Sequence, residues 1–412
     1  MKKKIFTLLL ALVAIATTAQ AQVVLNETNF PDANFRATLA WILRIRESDE
    51  ITEAKIAATT YLNVSSKNIA NLTGIEHFTA LTRLNCTNNQ LTSLNVSKNT
   101  ALTELSCGHN QLTLLDVSNN TALTNLDCRS NQLTSLDVSK NTAMTRLYCY
   151  NNQLTSLDVS KNTAMTKLHC YNNQLTSLDV SKNTPLTGLY CAGNQLTAID
   201  VSKNTALTLL SCENNQLTAL DVSNNTALTY LYCADNQLTA LDVSKNTALT
   251  TLWCYRNQLT ALDVSKNTAM TELWCYTNQL TSLDVSGCTA LTNLWCLGNQ
   301  IKGAAMDALV GSLPTVSKGS FYVIDTKDEN EGNVCTKAQV AVAKGKGWTV
   351  YDNNGGSKQE YEGSDDTTAI DASLNDNGKM INDNYYSIDG VKLSGEPTKK
   401  GIYIYKGKKV KR

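Results

Sequence analysis

The chain is 412 residues long and carries 36 basic and 36 acidic residues, so its formal net charge is zero. That balance excludes a dedicated nucleic-acid or anionic-membrane binder, which would need a strong basic excess. Only three histidines are present, and His77, His109 and His169 are isolated from one another, which leaves no metal-ligand cluster, phosphate loop or nucleophile motif to support an enzyme or a cofactor.

Residues 1–21 have the grammar of a secretory signal peptide. Lys2, Lys3 and Lys4 make a basic start, an apolar run follows from Ile5 to Ile15, and Ala19-Gln20-Ala21 supplies small residues at a cleavage point. Cleavage is expected before Gln22, and because that residue is not cysteine no lipoprotein-type anchor is expected. No later apolar run reaches the ~18–20 residues that a transmembrane helix needs. The expectation is an exported chain, secreted or displayed at the cell surface.

Residues 22–60 read as a helical N-terminal cap. Phe30-Pro31-Asp32-Ala33-Asn34-Phe35-Arg36 leads into a helix around Ala37–Arg46, with a second at Glu53–Thr59.

Residues 61–302 are dominated by one period. Cys86, Cys107, Cys128, Cys149, Cys170, Cys191, Cys212, Cys233, Cys254, Cys275 and Cys296 fall 21 residues apart, and Tyr61–Ala80 forms a coil zero with Ile69, Leu72, Ile75 and Phe78 apolar. A fixed interval over eleven copies means one coil stacked on the next, since no copy can bury its apolar residues alone. In the coil at Leu126, alternation puts Leu126 and Cys128 on one face of a short strand and Asp127 and Arg129 on the other. Asn131 closes the strand, and an inward asparagine there can bond backbone groups of adjacent coils, so Asn89 to Asn299 form a second column. The other half, Leu133 to Asn141, repeats the alternation with Val138 in place of cysteine. Parallel stacking spaces equivalent cysteines ~4.8 Å apart with parallel Cβ vectors, poor geometry for a bridge. A reduced, buried ladder is therefore expected.

The strand half fits the leucine-rich-repeat pattern LxxLxLxxNxL, and the unit LTxLxCxxNQLTxLDVSxNTA resembles the cysteine-ladder repeats of internalin-type surface proteins. The resemblance runs from about Leu62 to Ile301. It implies a leucine-rich-repeat solenoid of 21-residue coils, β-rich, with a parallel sheet on the concave face. So short a coil leaves strand or extended chain on the convex side. Related caps carry a calcium-loop-like segment between two helices; here Arg44, Arg46 and Lys55 stand where carboxylates would be needed, so no calcium is expected.

After Ile301 the period breaks. Residues 303–352 read as an α/β C-terminal cap, with helices at Ala304–Leu309 and Thr336–Lys344 and strands at Phe321–Ile324 and Trp348–Tyr351. A Gly-, Asn- and acid-rich linker occupies residues 353–380, and a small β tail residues 381–412. The tail has turn signals at Asp389-Gly390 and Lys406-Gly407. Tyr386 to Leu393, Gly401 to Ile404 and Gly407 to Val410 resemble an abbreviated C-terminal sorting domain of type IX secretion substrates, which implies export across an outer membrane.

Candidate recognition residues emerge from comparing coils with one another. The valine half barely changes, whereas the outward positions beside the cysteines vary freely on a fixed frame, where binding is normally built. Those positions hold Tyr148, Tyr150, His169, Tyr171, Tyr190, Tyr232, Trp253, Tyr255, Trp274, Tyr276 and Trp295, with Tyr230 one outward position earlier. Eight of sixteen tyrosines and three of five tryptophans stand here, a concentration that composition alone would not give. The stripe suits hot-spot contact with a protein, or stacking on a glycan; the alternative is a ring ladder that only stabilises the sheet. Its gaps at Asn85, Ser106, Asp127, Ser211 and Glu213 favour ligand contact. Arg129, Arg146, Lys167, Glu213, Arg256 and Glu272 are charged neighbours able to set specificity.

Three further features carry expectations. The aspartate column from Asp116 to Asp284 needs compensation, from the lysine column three residues on or from donors in the turns. His169 adjoins Cys170, but alternation sends the two side chains to opposite faces, so no Cys/His nucleophile is expected. Cys288 and Cys335 lie off the main ladder; they either bridge to lock the cap, or Cys288 simply substitutes in an inward column. The function expected is protein recognition or adhesion by a monomeric surface protein; a glycan binder and a ligand-free envelope component are the alternatives.

Overall fold

Each coil commits only three residues to a strand, because an outward–inward–outward triplet centred on one leucine is all that a 21-residue turn can lay against its neighbours. In the computed structural model, which describes residues 23–365 and three short strands beyond them, these triplets recur as the twelve strands β3 to β14, from Tyr61–Asn63 to Asn293–Trp295. They pair parallel and in register, leucine beside leucine, as in Leu189↔Leu210↔Leu231. The ladder extends one residue past the strand, since each cysteine N–H donates to the next coil, Cys191 to Ser211 O at 2.8 Å. The valine half is extended chain and turns, with one isolated bridge, Asn95↔Asp116.

The core runs as columns along the stack. In the coil of Cys191, Leu186, Leu189, Cys191, Leu196 and Val201 are fully buried and Ile199 nearly so; each such side chain contributes roughly 1.5–3 kcal/mol relative to exposure. Two asparagine columns tie successive coils. In the first, Asn194 Nδ2 donates to Cys170 O and Cys191 O at 3.1 and 3.0 Å while its Oδ1 accepts from Leu175 N at 3.0 Å. In the second, Asn183 Nδ2 donates to Val159 O and Asn162 O at 3.0 and 2.9 Å, and its buried Oδ1 has no partner. A threonine column before each strand, as in Thr187 Oγ1 to Thr166 O at 3.1 Å, adds a third tie.

The cysteines are all free and all buried. Burial pushes the Cys86 and Cys170 thiols up to about 12, which removes the reactive thiolate. The bridge considered between Cys288 and Cys335 is absent. Cys288 occupies an asparagine place of the second column, and its Sγ reaches Val264 O at 3.5 Å, the acceptor an asparagine would use there. Cys335 instead lies in the electrostatic neighbourhood of Cys296. An aromatic disulfide reagent should therefore modify none of the thirteen cysteines in the native chain and all of them in guanidinium; fast native labelling of even one would contradict this burial.

The N-terminal cap begins with β1 (Val23–Val24), antiparallel to β2 (Glu50–Ile51). Helix α1 spans Ala33–Leu43, four residues ahead of the predicted start, because Asp32 caps it by accepting from Phe35 N at 2.9 Å. Helix α2 spans Glu53–Ala58. Lys55 Nζ donates to Leu43 O at 2.8 Å, so an ammonium occupies the ground between the helices. Phe30, Phe35 and Phe78 cluster over the first coil.

At the other end the sheet continues through β15 (Gly319–Ile324) and β16 (Trp348–Asp352), both parallel, and closes with β17 (Gln359–Glu360), antiparallel. The stretch read as a linker from residue 353 thus supplies the last strand. Helices α3 (Ala304–Ser312) and α4 (Lys337–Gly345) cover the core behind. The first asparagine column also runs on: Asn333 donates to Cys296 O at 2.8 Å and accepts from Ile301 N at 2.8 Å. In the tail, Tyr385–Ser387, Ile402–Tyr405 and Lys408–Lys411 form an antiparallel three-stranded sheet. The signal-peptide residues 1–21, most of the 353–380 linker and the Asp389-Gly390 turn lie outside the described residues. No helix among those described is long and apolar enough to cross a membrane.

Candidate functional site

The strand triplet dictates where the aromatic residues go. Its central leucine is buried, so the residues on either side project from the opposite face, and parallel register lines equivalent positions up. The residue after the leucine forms one column, in which Tyr148, His169 and Tyr190 are successive neighbours, then Ser211, then Tyr232, Trp253, Trp274 and Trp295. The residue after the cysteine forms the next, with Tyr150 beside Tyr171 and Tyr255 beside Tyr276. Tyr230 stands in the column before the leucine.

Four of the neighbouring pairs stack, while Tyr148–His169, Tyr232–Trp253 and Trp274–Trp295 meet tilted. Ring centroids lie 3.9 Å apart for His169–Tyr190, 4.2 Å for Tyr150–Tyr171, 4.4 Å for Trp253–Trp274 and 4.4 Å for Tyr255–Tyr276. Such a pair is worth about 0.5–1.5 kcal/mol beyond its buried area. The stripe is thus two patches. One holds Tyr148, Tyr150, His169, Tyr171 and Tyr190; the other holds Tyr230, Tyr232, Trp253, Tyr255, Trp274, Tyr276 and Trp295, and Ser211 and Glu213 separate them.

Sequence reasoning stopped this second patch too early. Tyr322 and Tyr351 occupy the same column on β15 and β16: Trp295–Tyr322 stack at 3.7 Å and Tyr322–Tyr351 at 4.7 Å. Lys358 Nζ lies 5.1 Å from the Tyr351 ring centre and 3.2 Å from the Tyr322 hydroxyl. The spacing from Trp295 departs from 21 residues, which hid them. The alternation of Phe321, Tyr322 and Val323 carried the signal.

Polar partners fix several rings. Trp253 Nε1 donates to Glu272 Oε1 at 3.2 Å and Trp295 Nε1 to Asn293 Oδ1 at 3.0 Å, while Trp274 Nε1 has no partner. Arg129 donates to the Tyr150 hydroxyl at 2.9 Å and pairs with Asp127 at 3.5 Å. Arg256 pairs with Asp235 at 3.4 Å. Burial between its stacked neighbours, with Lys167 adding repulsion, pulls His169 down to about 4, so it presents a neutral imidazole at pH 7. Burial also holds Tyr171 up to about 12. His169 and Cys170 point to opposite faces, the thiol being fully buried.

The aspartate column is satisfied locally. Asp137 Oδ1 accepts from Ser139 N at 2.8 Å, and that bond, with the serine hydroxyl second, lowers its pKa. The pattern recurs at Asp158, Asp179, Asp200 and onward. Among the described residues no lysine of the neighbouring column comes within 4 Å of these carboxylates, so the turn donors offset most of the stacked charge and the lysines add a smaller attraction from farther away. The described residues contain no group of three or more candidate ligands able to hold a metal. A cleft of 380 Å³ beside α2, lined by Val23, Glu53, Ile56, Ala57, Glu76 and His77 among others, includes none of the stripe residues.

Known proteins share this architecture. The family model for leucine-rich repeats in two copies matches residues 226–267. Internalin J of Listeria monocytogenes is 45% identical over 70 residues, 17% of this chain, and that match spans 8% of the length of internalin J. The solved functional domain of internalin J from Listeria monocytogenes, which includes a cysteine ladder, is 34% identical; the match covers 72% of this chain and 81% of that one, with a TM-score of 0.53. An internalin F structure from the same species matches at 25% identity and a TM-score of 0.69, covering 75% and 93%. A leucine-rich-repeat protein of Leptospira interrogans, at 20% identity, a TM-score of 0.54 and coverage of 73% and 86%, shares the fold. With its buried thiol column and parallel 21-residue coils, the chain belongs to the leucine-rich-repeat proteins of internalin-like, cysteine-ladder type.

Proposed function

We propose that this is a secreted or surface-displayed recognition protein, an adhesin that binds a protein ligand through the aromatic sheet face without catalysing a reaction. The observation that carries the reading is the clustering of half-buried tyrosine and tryptophan on the variable positions of an otherwise uniform frame, split into two patches instead of spread evenly. Rigid aromatic residues give large contact area at low entropic cost and dominate binding hot spots. A glycan ligand is the weaker reading, because sugars stack on open ring faces, whereas within each patch the faces are covered by neighbouring rings and mainly edges are left for contact. Export through the signal-peptide-like segment and the type IX-like tail belongs to the same proposal.

The test is a binding screen of the full chain against arrays of extracellular proteins and glycans, beside a triple Trp253→Ala, Trp274→Ala, Trp295→Ala variant. A protein hit should weaken by about 30-fold or more while the variant still unfolds cooperatively. A glycan hit would select the lectin reading. Hits indifferent to the triple variant would remove the tryptophan patch as the binding surface and leave its rings a stabilising role only.

A further inference from the structure

One position in the longer ring column lacks a ring. Tyr190, Ser211 and Tyr232 are consecutive cross-strand neighbours. Tyr190 stacks on His169 on one side, at 3.9 Å, and Tyr232 leans against Trp253 on the other, at 4.6 Å with the planes 49° apart. No ring contact spans Ser211. Two strand spacings, about 9.6 Å, separate the backbones that carry the facing rings, twice the single spacing across which rings meet elsewhere in the column, and the small Ser211 side chain between them is 7% exposed. The walls are low here, since Glu213 is flanked in its own column by Ala192 and Ala234.

Glu213 makes the gap chemically specific. It is half-buried, and its Oε2 accepts from the Ser211 hydroxyl at 2.6 Å. Among the described residues no basic group lies within 4 Å of it, whereas Asp127 and Asp235 are paired with Arg129 and Arg256 and Glu272 accepts from the Trp253 indole. Burial raises its pKa, and Asp235 adds repulsion. A carboxylate that has given up water without gaining a cation is completed by one brought from outside.

We propose that this notch receives an arginine side chain of a partner protein, its guanidinium stacked between Tyr190 and Tyr232 and paired with Glu213. A guanidinium is planar, permanently charged and weakly hydrated, so it satisfies the two ring faces and the carboxylate together; an ammonium satisfies only the charge. This rests on the reading of the aromatic face as the binding surface and names what one part of that surface takes.

The experiment is selection of a displayed random-peptide library on the full chain, with counter-measurement on Glu213→Gln, Ser211→Tyr and the triple tryptophan variant. Selected peptides should share an arginine. Their affinity should fall more than about tenfold on Glu213→Gln and comparably when their arginine becomes lysine, and Ser211→Tyr, which supplies the missing ring, should abolish binding. Unchanged melting temperatures separate these losses from misfolding, and Glu213→Gln decides the matter if Ser211→Tyr does not fold. Peptides without arginine, or indifferent to Glu213→Gln, that still fail on the triple variant would overturn the notch and leave the face standing. Peptides indifferent to every variant, or no enrichment at all, would overturn the notch together with peptide recognition by the face.

Discussion

Replacing Asn194 by leucine should destabilise the chain by about 4 kcal/mol and split its unfolding into two transitions. Asn194 is almost fully buried, and its side chain ties two successive coils through Leu175 N, Cys170 O and Cys191 O. Leucine of similar volume leaves those groups unpaired in an apolar interior, at about 1–3 kcal/mol each, reduced where a carbonyl keeps a second partner. The same change at Asn183 should cost only about half as much, because that side chain makes two bonds and its Oδ1 is already unpartnered. Stability in a stack is a sum of coil and interface terms, so a weak joint near the middle uncouples the two halves. Trp253, Trp274 and Trp295 lie beyond the joint and Trp41 well before it. Tryptophan fluorescence, weighted to the distal half, and far-ultraviolet circular dichroism, reporting the whole, should then give non-coincident urea curves. Coincident curves, or equal losses at the two asparagines, would show that the first column is not the stronger tie.

That asymmetry was only half legible in the amino-acid sequence. A strict 21-residue period fixes stacking, strand position and inward cysteines without further information, since shifting any coil by one residue would expose its leucine. Both asparagine columns follow from the same period, yet which of their atoms find partners depends on backbone carbonyls that no spacing reveals. The aspartate column shows the same boundary. Periodicity exposes the stacked charge, while the local turn that lets Ser139 answer Asp137 is a matter of backbone geometry. The candidate face was legible where the period holds and was cut short where it ends: Tyr322 and Tyr351 continue the rings by strand register, with no shared interval to give them away. The notch at Ser211 was visible as an interruption, and only the hydroxyl–carboxylate contact gives it a chemistry.

Trp348→Ala should cost about 4 kcal/mol, in the range for emptying a buried aromatic site, and should also weaken whatever the distal aromatic patch binds. Trp348 is 2% exposed. Its ring meets Phe321 edge-on at 6.4 Å, and its Nε1 donates to Pro314 O at 2.8 Å. It also fills the space over Gly319, where any Cβ would come within 2.5 Å of the indole, so no neighbour is poised to close the cavity. Trp348 faces the core from β16, whereas Tyr351 three residues on projects with Tyr322 on the ring-bearing face. One strand therefore carries both a core anchor and the last ring of the stripe. Loosening it lets β16 fray, releases Tyr351 and Lys358 from Tyr322, and leaves Trp295 as the last firmly held ring. Thermal unfolding should report the stability loss, and binding of any ligand found in the protein screen should fall in Trp348→Ala by an amount that Tyr322→Ala reproduces with little change in melting temperature. If Trp348→Ala lowers stability yet leaves affinity intact, the cap protects the solenoid end and the ligand stops short of Tyr322; if Tyr322→Ala alone weakens binding, the cap is part of the recognition surface.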